Sequence, residues 1–335
     1  MDSFYSESTY AFDEETRLFS IKPDITSQRS SDVHLVCFHG LGVPSISNAD
    51  SMRPALRIFN YRGELKKASS TAGIIGRSFP SFRISAEAPS FPGYHNKAML
   101  DIAQKQNLDP ISFHDLPDIE SIVDLYWTYF HKINLEVKKP IILLGRSYLG
   151  ALGIFLADAI NEKAKKLNQK PLISGVVSMS SSYPGVKDLV EKNTKAMYSA
   201  YPQLDYEATE WASDLYKSFS LPERSHLPTI IMCSRDDQVV LPEDQNLYDQ
   251  FARRNHTNTR FLTVEGDTHD LFSNVSSHGF QKRARHLAYL AIYRFAKGIV
   301  EGDAMRYMEK PPVQSFSYQD ELSNTDTWYA PMSMK

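Results

Sequence analysis

Apolar and polar positions along this chain follow two rhythms, one of period two and one near 3.6, and the two take turns. Residues 8–13 and 17–22 alternate around the polar turn Asp13-Glu14-Glu15-Thr16, which predicts an opening antiparallel hairpin. The apolar run Val-His-Leu-Val-Cys-Phe at 33–38 predicts a strand buried on both faces, and a helix is expected across 50–60. A weaker strand is expected at 81–87, interrupted by Pro89, Pro92 and Gly93. Asp115-Leu-Pro117-Asp118 then opens a helix with an acceptor near its cap and a proline in the first turn. That helix carries Ile119, Ile122, Val123, Tyr126, Trp127, Phe130 and Ile133 on one face.

Further strands are expected at 171–179, 228–233 and 259–265, helices at about 242–254 and 280–300, and an inserted, mostly helical stretch at 184–225. Strands separated by helical crossovers imply an α/β fold: a mostly parallel sheet with helices on both faces. The segment from about Met305 to Lys335 has no sustained period and reads as a loose tail or a strap along the body. The division is therefore a domain over 1–304, with the helical insertion at about 184–225, and a tail over 305–335.

The most informative segment is Pro140-Ile-Ile-Leu-Leu-Gly-Arg-Ser147-Tyr-Leu-Gly, where an apolar run stops at a glycine, a serine sits in the turn and a helical pattern starts at once. Such a turn lifts a hydroxyl above a sheet edge beside the N–H groups of a helix start. Read alone, Ser147 equally suits a helix N-cap. Gly76-Arg-Ser78-Phe-Pro80 imitates the motif, but no long apolar run precedes it and Pro80 forbids a continuing helix. Three later features change the balance. The strand at 33–38 ends in His39-Gly40-Leu41-Gly42, a turn suited to aiming an N–H into a cleft. The strand at 228–233 leads to Arg235-Asp236-Asp237, and the next strand leads to Glu265-Gly-Asp-Thr-His269. In an open α/β sheet all of these lie at the carboxyl edge, where ligand crevices form.

With those residues in that order, the chain resembles an α/β-hydrolase over roughly residues 30–300. The resemblance implies Ser147 as nucleophile, Asp237 as orienting acid and His269 as base, with the N–H groups of Leu41 and Tyr148 as oxyanion donors. Asp237 is preferred to Asp236 because Asp237-Gln-Val239-Val240 fits the family's Asp-x-Val/Ile-Val pattern. His278 and His286 are the competing bases, and His286 sits inside a helical pattern. Gly40, Arg146 and Tyr183 are expected to line the substrate. His39 reads as a structural hydrogen-bonding residue. One departure stands out: the usual Gly-x-Ser-x-Gly has Leu149 at its last position and Gly150 one place later, which implies a slightly wider turn or a shifted helix.

The implied activity is hydrolysis of a carboxylic ester or thioester through an acyl-serine, with no metal or organic cofactor. An acyltransferase using the same groups, and a hydrolase-shaped binding protein with a disabled elbow, are the alternatives. The partner is a small-molecule ester or thioester, and the aromatics of the insertion either form a lid that touches an apolar substrate or simply pack the insertion onto the body. A formal net charge of −3 gives no bulk attraction to nucleic acid. No run approaches the roughly 18 apolar residues of a membrane span. Two cysteines, Cys37 and Cys233, each inside an apolar run, read as buried free thiols. With the polar N-terminal sequence, they point to a cytoplasmic protein. Oligomeric state is not encoded in any feature of the sequence.

Overall fold

A computed structural model describes residues 10–22, 31–40, 52–60, 79, 81–235, 237–264, 269 and 279–308. Among them, eight strands form one sheet in the order β1-β2-β4-β3-β5-β6-β7-β8. The opening hairpin is β1 (Tyr10–Asp13) and β2 (Leu18–Ile21), and β2 continues antiparallel onto β4 (Ile84–Pro89). From β4 onward every pairing is parallel, through β3 (Val33–Phe38), β5 (Ile141–Arg146), β6 (Gly175–Met179), β7 (Thr229–Ser234) and β8 (Thr259–Val264). The sheet is the mostly parallel, helix-covered one expected, with the antiparallel hairpin at its edge.

The helices are α1 (Arg53–Phe59), α2 (Lys97–Gln106), α3 (Ile119–Val137), α4 (Tyr148–Lys166), α5 (Lys187–Ala200), α6 (Tyr206–Ser218), α7 (Pro242–Arg254) and α8 (Gly279–Val300). The central strands are buried along their whole length, yet period two still sorts their side chains. Val36, Phe38, Ile141, Leu143, Val176 and Ile231 pack under α3, α4, α5, α6 and α7. Leu35, Cys37, Ile142, Leu144, Val177 and Met232 pack under α1, α2 and α8. Continuous apolar strands are what a sheet covered on both faces requires. Met305 and Met308 bury into the second layer, so the chain stays on the body beyond α8.

Four elements differ from the pattern-based expectation. Strand β4 covers Ile84–Pro89 rather than 81–87, so Pro89 ends it on the edge hairpin instead of interrupting it, and α3 starts at Ile119 with Asp118 as its N-cap, which leaves Pro117 just outside. Helix α2 was not anticipated, because only Met99 and Ala103 are buried on it and its stripe is thin. Strand β6 starts at Gly175 rather than 171, although Leu172 and Ile173 are core residues. Their N–H groups donate to Asn161 Oδ1 on α4, both at 3.0 Å, so these residues leave the ladder while staying buried.

Candidate active site

The site is built where β5 ends. Ser147 has φ 54° and ψ −134°, a left-handed conformation that costs a non-glycine residue about 1–3 kcal/mol and persists only where its surroundings impose it. Its N–H donates to Met179 O at 2.8 Å, which ties the turn to the end of β6. Two glycines let the following helix lie this close. A Cβ at Gly145 would stand 2.0 Å from Leu149 O, and one at Gly150 would stand 2.7 Å from both Ser178 Oγ and Ser181 Cβ. Gly150 thus occupies the crowded crossing against β6, while the Leu149 side chain turns into the core. The first turn of α4 closes through Gly150 N–H to Ser147 O at 2.8 Å.

Ser147, His269 and Asp237, on three separate loops, meet at this edge. His269 Nε2 lies 2.9 Å from Ser147 Oγ, and its Nδ1 lies 3.0 Å from each carboxylate oxygen of Asp237. All three are buried. Asp237 Oδ1 also accepts the N–H groups of Val239 at 2.8 Å and Val240 at 3.0 Å. Burial pushes the Asp237 carboxyl up, but attraction to His269, the hydrogen bond with it and the two backbone donors outweigh that and hold it below the usual carboxylate range. An ionised Asp237 takes the proton on Nδ1, so a neutral His269 presents a bare Nε2 to the serine hydroxyl.

Gly40 lies against Ser147: a Cβ there would stand 2.9 Å from Ser147 Cβ. Both nitrogens of His39 are committed. Nε2 accepts Phe91 N–H at 3.1 Å, and Nδ1 donates to Gly40 O at 2.5 Å, which ties the turn after β3 to the segment after β4. Arg146 is half-buried at the last position of β5. Tyr183 packs its ring on Tyr248 and donates its N–H to Asp244 Oδ1 at 2.6 Å, so these contacts run towards α7. Tyr148 starts α4, where its N–H has no partner within the helix. Leu41, Asp236, His278 and the Gly76-Arg-Ser78 motif lie outside the described residues, and so does the His286 side chain.

The helical insertion expected at about 184–225 reaches the site, and which of its aromatics does so was not legible in the sequence. It folds as α5 and α6, and Tyr201, just past α5, brings its ring within 6.4 Å of the His269 ring, centroid to centroid. Trp211 on α6 packs on Phe91 and Phe113. The density of aromatics at 198–219 marked the insertion, but only the fold selects which of them faces the imidazole.

No protein-family profile matches the chain, and no curated protein does. Solved structures do. A candidate esterase from Staphylococcus aureus superposes with a TM-score of 0.51 at 12% identity, covering 89% of this chain and 85% of that one. The chain has the α/β-hydrolase fold. Other structures with this fold superpose more loosely. An esterase from Pyrococcus furiosus gives a TM-score of 0.48 at 16% identity, covering 86% of this chain and 91% of its own. A monoacylglycerol lipase from Paleococcus ferrophilus gives 0.46 at 13% identity, covering 85% and 98%. No described helix is long and apolar enough to cross a membrane.

Proposed function

We propose that this α/β-hydrolase-fold protein is a serine hydrolase that cleaves a carboxylic ester or thioester through an acyl-serine. One observation carries the reading: Ser147 Oγ stands 2.9 Å from His269 Nε2, and Nδ1 of the same ring stands 3.0 Å from Asp237. Three groups with this polarity can move a proton off a hydroxyl and return it to a leaving group.

Ser147 Oγ attacks the acyl carbon while its proton passes to His269 Nε2, and the carbonyl electron pair moves onto oxygen. Asp237 holds the ring in the right tautomer and stabilises the imidazolium. The tetrahedral oxygen is taken by Tyr148 N–H and Leu41 N–H, donors of a kind typically worth about 3–4 kcal/mol each. Collapse expels the alcohol or thiol, which leaves with the proton from Nε2. Water, deprotonated by the same nitrogen, then cleaves the acyl-serine and frees the acid. The chain up to about residue 304 forms one catalytic unit, and α5 with α6 forms its cap. Gly40, Arg146 and Tyr183 border the substrate, and no metal or organic cofactor takes part. An acyltransferase differs only in the group that replaces water.

A binding-only scaffold would need a disabled elbow, for which Leu149 was the argument at the turn, and would dock through the aromatic tail, which beyond residue 308 lies outside the described residues. With Gly150 taking the crowded position, no feature of the turn favours that reading. A fluorophosphonate probe tests the proposal. Wild type is expected to label at Ser147 and to hydrolyse members of an ester and thioester panel, and Ser147→Ala to do neither. A folded wild type that stays unlabelled ends the reading.

A further inference from the structure

The turn that presents Ser147 is held from outside the body. Tyr216, on cap helix α6, donates its hydroxyl hydrogen to the carbonyl of Tyr148. The two rings meet edge to face at 4.6 Å. The other end of Tyr148 is gripped by α5: its hydroxyl lies 3.0 Å from Thr194 Oγ1, which donates to Val190 O at 2.8 Å and lies 3.0 Å from Ser213 Oγ on α6. Ser181 Oγ takes Ala151 N–H at 2.8 Å and contacts the Tyr216 hydroxyl at 3.3 Å. Every one of these hydroxyl-bearing residues is buried, so each lost partner strands a polar group away from water.

This grip coincides with the departure in the motif. The gripped residue, Tyr148, directly precedes Leu149, where the usual motif has its glycine. The residue held at both its carbonyl and its hydroxyl is the one whose N–H binds the tetrahedral oxygen in the function proposed above, on which this inference rests. The geometry points to Tyr216 and Thr194 of the cap as positioning residues for Tyr148, so that the cap sets the aim of an oxyanion donor as well as standing beside the substrate.

Two conservative variants, Tyr216→Phe and Thr194→Val, remove the hydroxyls and keep the bulk. Each is assayed on a p-nitrophenyl acyl ester, with rates normalised to the fraction of serine labelled by fluorophosphonate. Each is also titrated with an alkyl trifluoromethyl ketone, whose adduct carries the oxyanion. Outright loss of an oxyanion donor costs about 10²–10³ in kcat. A donor that is present but mis-aimed is expected to cost about 10-fold for Tyr216→Phe, with KM within about twofold and ketone affinity reduced by the same factor as kcat. Thr194→Val shifts the same quantities in the same direction by less. A purely structural hydroxyl lowers Tm but leaves kcat per labelled site and ketone affinity unchanged, and that result in a folded variant overturns the proposal. If Tyr216→Phe does not fold, Thr194→Val decides alone. A folded wild type that neither labels nor turns over removes the serine-hydrolase reading and this inference with it, a result distinct from labelled variants with unchanged kcat.

Discussion

Asp237 and Asp244 are both buried carboxylates, and their surroundings drive them in opposite directions. Asp237 is held low by His269 and two backbone N–H groups despite burial. It stays charged at neutral pH, and replacing it with Asn presents an amide N–H where the ring proton needs an acceptor. Asp237→Asn is expected to lower kcat by about 10⁴ with KM little changed, read from steady-state kinetics on the best ester of the panel. Asp244 accepts Tyr183 N–H, Asn193 Nδ2–H and Leu241 N–H, yet burial dominates and raises it to about 7. Its folded value lies above the roughly 3.9 of an unfolded aspartate. The stability linked to its proton is therefore complete below about pH 4 and is lost as pH climbs through about 7. Thermal melts of wild type and Asp244→Asn between those limits should show the slope flattened in the variant, and parallel curves would refute the assignment. Asp237 has the opposite sign: its contribution holds above about 4 and drains as pH falls through its lowered value. The grouping of Ser147, His269 and Asp237 could be proposed from sequence because each follows an apolar run and their order resembles that of the α/β-hydrolases. Asp244 was not, since nothing in Pro242-Glu-Asp-Gln distinguishes a buried N3 carboxylate from a solvated one.

At the level of elements, the contact between α4 and β6 is a tight constraint on the site. Gly150→Ala would place a methyl group 2.7 Å from Ser178 Oγ and Ser181 Cβ, with little room for the backbone to give. Overpacking of this kind costs about 1–3 kcal/mol, and calorimetry should show Tm lower by several degrees. A Tm equal to wild type would mean that the helix crosses β6 more loosely than described. The cap makes a second prediction. Tyr201 faces His269 from the end of α5, so Tyr201→Ala should change the acyl-length preference across a series of p-nitrophenyl esters, whereas an unaltered preference would leave the ring a packing role only. Strands β3 and β5 and helices α3 and α7 could be read from periodicity and caps because local and tertiary demands agree there. The start of β6 could not, because Asn161 on another element takes the N–H groups that a ladder would have used.

For the molecule as a whole, both faces of the sheet were foreseeable from strands apolar along their full length. The way the hydroxyls of the cap enter the elbow was not, since it depends on residues separated by 68 positions in the chain. Cys37 and Cys233 are free and buried, and burial drives both thiols well above their ordinary value. Native protein should resist thiol reagents and melt at the same temperature with or without reductant, and rapid labelling before unfolding would contradict that burial. The partners Ser147 and His269 are 122 residues apart in sequence. At ribosomal rates of about 5–20 residues per second, the imidazole follows the hydroxyl by roughly 6–24 s. On the proposed mechanism, a nascent chain or a truncated product ending before β8 carries its serine without a base and stays inert toward acyl groups until residue 269 has been added.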